Sequence, residues 1–393
     1  MSEWKEYKIS DIADVIGGGT PSTSNSSYWN GNIPWLTPRD LTGYTKVYIS
    51  KGERNITVEG LRNSSARLLP KVTVLLTSRA SIGYVAIAKN EITTNQGFKS
   101  LVLKEDYADN EFIYYWIKNN IDYLQSIGTG TTFAEISGRV VKDIEISLPP
   151  LSEQKTIASV LSSLDDKIDL LHRQNATLEK MAETLFRQWF VERCPEPVEG
   201  EEKEEWEEKP LSSIANFLNG LACQKFLPKN DIDKLPVLKI KELREGFTEK
   251  SDWATTDVKP EYIVKNGDVV FAWSASLMVK IWDGQDCILN QHLFKVTSDV
   301  YPKWFYYLWC KYHLEEFISI AVSHATTMGH IKRRDLDEAI VLVPSTNKLE
   351  EMTLIVEPLI DKIIENNKQI RTLTSLRNTL LPKLMSGEVR VEM

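Results

Sequence analysis

Along residues 151–190 apolar side chains recur at alternating steps of three and four. With Leu161, Ile168, Asn175, Ala182 and Trp189 at heptad position a, Ile157, Leu164, Leu171, Leu178 and Leu185 fall at d. An unbroken d column beside a mostly apolar a column is the seam of a coiled-coil helix. Pro149 and Pro150 stop what precedes it, and Ser152 followed by Glu153 and Gln154 suits a helix start. The pattern returns 195 residues later, where LIDKIIENNKQ (359–369) echoes LDDKIDLLHRQ (164–174). There Val356, Ile363, Ile370 and Leu384 take a, while Met352, Leu359, Leu373 and Leu380 take d. At about 1.5 Å per residue each helix would run roughly 55–60 Å. So narrow a seam needs a helical partner. The simplest is the other copy, paired antiparallel with the two globular domains at opposite ends of a rod; the alternative is packing into a larger bundle. Asn175 at a and Asn366 at d either set the register of the pair or mark hydrated places in the seam.

The stretches before the two helices also match. WKEYKISDIADVIGG (4–18) returns as WEEKPLSSIANFLNG (206–220) and IPWLTPRDL (33–41) as LPVLKIKEL (235–243), both 202 residues on. VLLTSRASI (74–82), TTNQGF (93–98) and GTTFAEISGRVVKDIEISLP (130–149) return 195 residues on as VVFAWSASL, ILNQHL and ATTMGHIKRRDLDEAIVLVP. Such self-similarity defines a duplicated unit. The expected architecture is an α+β fold: two globular mixed α/β domains separated by an antiparallel two-helix coiled coil, a pseudo-twofold internal repeat. The expected segments are a first domain at 1–149, a long helix at 150–193, an acidic linker at 194–205, a second domain at 206–344, and a second helix with its tail at 345–393. The copies share an apolar skeleton and differ in polar decoration: Trp35 aligns with Val237, Ser78 with Trp273, and Arg79 with Ser274. One scaffold with divergent surfaces implies two domains that bind two different things.

Composition alters this picture little. The 393 residues are 42% apolar and 26% charged, as in globular proteins. No apolar run approaches the roughly 18–20 residues of a membrane span. The polar start MSEWKEYKIS reads as lacking a signal peptide. Cys194, Cys223, Cys287 and Cys310 form no CxxC, and with five histidines they make no zinc pattern; a reduced, cytoplasmic setting is expected. The net charge of −8 argues against nucleic acid until it is located: CPEPVEGEEKEEWEEKP (194–210) carries −6 of it. A near-neutral remainder can still present basic patches to phosphates.

Catalytic motifs are missing. Gly17, Gly18 and Gly19 form a glycine cluster, but Pro21 and a polar run follow where a nucleotide-binding loop needs a helix. There is no GxxxxGK[ST], GxSxG, HExxH or (D/N)PPY-like motif, and ExK triplets are too degenerate to define a nuclease. The chain is expected to do no chemistry itself and to bind no cofactor or metal. Its loop residues suit base-edge reading, where Asn or Gln bonds adenine and Arg or Lys bonds guanine. In the first domain the candidates are Thr37, Arg39 and Asp40; Ser78, Arg79 and Ser81; and Thr94, Asn95, Gln96 and Lys99. In the second they are Lys239, Lys241 and Arg244; Trp273, Ser274 and Ser276; and Asn290, Gln291 and His292. Lys332, Arg333 and Arg334 add a basic cluster, matched more thinly by Arg139 and Lys142. Asn95, Gln96, Asn290 and Gln291 recur in both copies and either read bases or tie loops to backbone.

The series GGGTPSTSNSSYWNGNIPWLTPRDL, TTNQGF, ISLPPLSEQKTIASVLSSLDDKI and the closing LLPKLMSGEVRV resembles the specificity subunit of type I restriction–modification systems over essentially the whole chain. The resemblance implies two target recognition domains, each reading half of a bipartite, asymmetric site on double-stranded DNA, with the coiled coil as a ruler for the spacer. It implies two docked methyltransferase subunits that modify adenine N6 with S-adenosylmethionine, and restriction subunits driven by ATP with Mg. The alternative is a scaffold of two ligand- or protein-binding domains on a helical spacer. The second copy has STNKLEEMTLIVEPL where the first has LSEQKTIASVLSSL. Loss of the EQ pair there suggests that two partner-docking surfaces differ.

Overall fold

The structure, a computed structural model, describes residues 4–130, 134–192, 206–323 and 329–391. Cys194, the acidic linker at 194–205 and the aligned segments 131–133 and 325–328 lie outside the described residues. The chain forms two compact units: Met1–Asp169 with Leu373–Met393, and Leu170–Thr372. Each unit therefore takes part of each long helix.

In the first unit a five-stranded sheet runs in the order Ala13–Gly17, Lys99–Leu103, Val74–Leu76, Val85–Ala88, Tyr48–Ile49. A smaller sheet holds Arg54–Ile56, Trp29–Leu36 and Thr93–Thr94. Lys5–Lys8 pairs antiparallel with Glu145–Leu148, whose alternation sends Ile146 and Leu148 inward and Glu145 and Ser147 outward. In the second unit the large sheet runs Asn216–Asn219, Leu293–Thr297, Val269–Ala272, Met278–Ile281. The small one runs Trp253–Thr255, Lys234–Leu238, Cys287–Leu289, Ile263–Val264. The pairings repeat at the offsets seen in the sequence: Trp35 lies parallel to Thr93, and Val237 to Ile288. Among the described residues the sheets differ at their edges, through Tyr48–Ile49 in one unit and Ile263–Val264 in the other.

The two long helices are Leu151–Phe190 and Thr346–Met385, 40 residues each; the first coincides with the span read from the heptads, and the second lies within the expected 345–393. They run antiparallel within each unit. In the first, Glu153 meets Arg390 and Asp165 meets Arg377. In the second, Asn366 Nδ2 donates to Asn175 Oδ1 at 2.9 Å, and Asn175 Nδ2 donates to Asn367 Oδ1 at 2.7 Å. Of the seam residues, Ile157, Leu161, Leu171 and Val356 are buried. Leu164, Ile168, Leu178, Leu185, Leu359, Ile363, Ile370, Leu373 and Leu380 are half-buried.

A second apolar row lies outside the a and d columns. Ala158 packs into the core around the helix Asn110–Asn119, and Phe186 and Phe190 pack into the core around Lys303–Tyr312. The seam is thus part of a wider packing toward each sheet domain, because the apolar face is broader than a two-helix stripe. No helix among the described residues is long and apolar enough to cross a membrane.

Candidate nucleic-acid interface

In both units a parallel pair of strands ends at one crossing point. The Asn95 N–H donates to the Leu36 carbonyl at 2.8 Å, and the Asn290 N–H to the Leu238 carbonyl at 3.2 Å. Asn95 Oδ1 accepts from the Gly97 N–H at 2.9 Å, and Asn290 Oδ1 from the His292 N–H at 3.4 Å. Their side chains tie the loop to itself, which accounts for their recurrence. The glycine cluster also serves this crossing. A Cβ on Gly18 would lie 2.0 Å from the Asn95 carbonyl oxygen, and one on Gly220 2.3 Å from that of Asn290. Thr94 is buried, Gln96 is exposed and accepts from Thr20 Oγ1 at 2.5 Å, and Gln291 lies half-buried against His292.

The loop beside it is built twice on one backbone. Ala80 and Ala275 both have positive φ, +64° and +58°. Their N–H groups bond the carbonyls of Ala134 at 3.1 Å and Gly329 at 2.8 Å. Non-glycine residues rarely adopt this region and cluster at functional turns. Around this shared bend the side chains diverge. Ser78 is buried, its Oγ donating to the Gly97 carbonyl at 3.3 Å. Arg79 is exposed, 3.8 Å from Glu135, and Lys99 Nζ lies 3.4 Å from the same carboxylate. Ser81 is half-buried. In the second unit Trp273 stacks on Phe294 with centroids 5.6 Å apart and donates from Nε1 to Asn219 Oδ1 at 3.1 Å. Buried Ser274 faces His292 Nδ1 at 3.2 Å, and Ser276 is exposed.

Other candidates are structural, or basic and exposed. Asp40 Oδ2 accepts from the Thr37 N–H at 2.7 Å and hydroxyl at 2.8 Å, so both residues form the turn that carries exposed Arg39. Lys239 is half-buried and paired with Asp252. Lys241, Arg244, Arg139, Lys142 and Lys332 are exposed. Arg333 reaches the Phe217 carbonyl at 3.4 Å, and Arg334 pairs with Glu338 at 2.6 Å on one helical turn. The sequence reading missed Glu135, Thr20 and Asn219, the partners of Arg79, Gln96 and Trp273. They lie far off in the chain, and no local spacing marks them.

The EQ pair faces inward. Glu153 and Gln154 are 3% and 1% exposed. Gln154 Oε1 accepts from the Asp109 N–H at 3.0 Å, and Nε2 donates to the carbonyls of Tyr107 at 3.0 Å and Pro149 at 2.9 Å. Glu153 bonds Arg390 at 2.7 Å. Both side chains are thus taken up within the first unit: Gln154 fastens the long helix to the loop at 107–109, and Glu153 holds Arg390 of the C-terminal tail.

With this geometry in view, the matches to known proteins fall into place. Residues 1–180 and 203–374 each match the type I restriction modification DNA specificity domain. The chain belongs to this family and, carrying the domain twice, is a type I specificity subunit with two DNA-recognition domains. The MjaIX type I restriction enzyme specificity subunit of Methanocaldococcus jannaschii is 38% identical over 411 residues, covering 99% of this chain and 94% of that protein. The MjaVIII specificity subunit of the same organism is 25% identical at the same coverage of 99% and 94%. The crystal structure of a type I restriction–modification system S subunit from M. genitalium superposes with a TM-score of 0.64 at 18% identity, covering 100% of this chain and 97% of that one. That likeness extends the shared fold over the full length.

Proposed function

We propose that each domain reads one half of an asymmetric, bipartite site on double-stranded DNA, and that the paired long helices set the unread gap. The chain itself does no chemistry and works in the cytoplasm. Two methyltransferase subunits dock on it and modify adenine N6 with S-adenosylmethionine, a reaction that requires the base to leave the stack. Restriction subunits add translocation and cleavage using ATP and Mg. The observation that carries this reading is the loop built twice around Ala80 and Ala275 with Arg79 in one copy and Ser274 in the other. One backbone presenting different side chains suits two different half-sites, and half-site separation on a duplex is a geometric quantity.

The test is co-expression of the full chain with its methyltransferase partner, followed by mapping of methylated adenines across the host DNA. A two-part motif with a constant gap is expected, with duplex binding that weakens steeply as salt rises. A well-formed complex with no such motif, and with salt-insensitive interactions, would favour the scaffold of protein-binding domains.

A further inference from the structure

The glycine-rich segment of the first domain folds over two tryptophans, and these hold an arginine that no repeat or motif singles out. Trp29 and Trp35 meet edge to face with centroids 5.0 Å apart. Each indole is anchored: Trp29 Nε1 donates to the Ser22 carbonyl at 3.0 Å and Trp35 Nε1 to the Gly19 carbonyl at 2.9 Å. Arg54, on the adjacent strand, lays its guanidinium carbon 3.6 Å from the centroid of Trp29 and 5.7 Å from that of Trp35. Its side chain is exposed, and among the described residues no carboxylate or carbonyl is bonded to it. Its strand is fastened to the turn that carries Arg39, because Asp40 Oδ1 accepts from the Glu53 N–H at 2.7 Å.

Stacking occupies the face of a guanidinium and leaves its edge, with its fork of donors, directed outward. A side chain held this way has lost rotamer freedom before any ligand arrives, so less is lost on binding. We infer that Arg54 is a DNA-contacting residue of the first domain, a prepositioned donor pair for two adjacent acceptors on DNA. Those acceptors are the O6 and N7 of a guanine or two oxygens of a phosphate. The inference rests on the proposed reading of DNA by this domain. The second domain does not repeat the device: Lys234 lies 5.0 Å from the Trp253 centroid but is bound to Asp231 at 2.5 Å and has no planar fork.

Arg54→Ala and Arg54→Lys would be compared with the unaltered full chain, each with its methyltransferase partner. The readouts are adenine-methylation mapping, duplex binding across a salt series, and thermal unfolding. If Arg54 reads a guanine, both variants relax preference at one base pair of one half-site by about 5- to 150-fold and leave the other half-site unchanged. If it holds a phosphate, Arg54→Ala weakens all sequences alike and lowers the salt slope by about one, and Arg54→Lys restores most of the loss. Either result supports the inference, and the pair assigns the acceptor. A motif, affinity and salt slope unchanged in both variants, with at most a lower melting temperature, would make Arg54 a cap over Trp29 and overturn it. Absence of any motif from the unaltered chain would instead overturn the DNA reading beneath it.

Discussion

At several aligned positions the first unit holds its long helices with hydrogen bonds and buried charges where the second packs apolar and aromatic side chains. Gln154, with its three backbone bonds, aligns with Leu349, which packs against the apolar core of the second unit. Leu381 and Met385, packed against the first core, align with Phe186 and Phe190 in the second. Phe186 stands 4.9 Å from Trp309, and Phe190 5.2 Å from Trp206 and 5.4 Å from Trp309, ring centroid to centroid. Asp165, bonded to Arg377 and to the Tyr115 hydroxyl, aligns with Ile360, which is 1% exposed. One helix–domain junction has therefore been filled in two ways. Directional bonds tolerate little substitution, since a lost partner strands a buried group. Apolar packing asks mainly for volume and shape. At the Gln154 position the second copy has the apolar packing of Leu349 in place of three bonds to backbone.

Ways to break this contrast can be ranked by expected effect. Phe190→Ala should destabilise the second unit by about 3–5 kcal/mol, as aromatic-to-alanine changes in cores do. Hydrogen exchange resolved by peptide would show the loss in Leu170–Thr372; equal loosening of Met1–Asp169 would contradict it. Gln154→Leu, which gives the first copy the residue of the second, should cost about 2–4 kcal/mol because the Asp109 N–H and two carbonyls lose their partner. The reciprocal Leu349→Gln should cost less, about 1 kcal/mol, because Leu349 is only half-buried. Equal melting temperatures for these two variants would mean that the junctions do not differ as described.

Arg79→Ala addresses the matched reading loops. It should relax preference at one position of the first half-site, by roughly 1–3 kcal/mol of discrimination. A uniform loss over all sequences would make Arg79 a phosphate contact.

The smallest effect concerns acid. Burial pushes the Glu179 carboxyl up, but the Lys311 ammonium and the Tyr307 hydroxyl outweigh it and hold the pKa below its ordinary 4.5. A depressed folded pKa contributes stability that is complete above 4.5 and is lost as pH falls through the folded value. The contribution should be about 1 kcal/mol or less, since the side chain is 41% exposed. Glu179→Gln should flatten the acid limb of the second unit's unfolding curve; an unchanged limb would remove Glu179 from the account.

What the sequence determined by itself was periodic or repeated. The heptads placed the first helix at 151–190 and the second within 345–393, because a helical period shows in any single copy of the chain. The offsets of 202 and 195 disclosed the duplication and hence one strand topology used twice. Tertiary structure alone decided what each polar residue does. Thr37 and Ser78, candidates for base reading, bond Asp40 and the Gly97 carbonyl, and Asn95, whose recurrence left both roles open, bonds the loop backbone. Arg54 carried no motif and stands exposed on Trp29. Gln154 belonged to a recognisable signature, yet its role as a tie to Asp109 rests on residues 45 positions apart in the chain. Apolar burial leaves a regular trace along a sequence because secondary structure imposes the period. A hydrogen bond or a cation–π contact joins residues that only the folded backbone brings together, and it leaves no such trace.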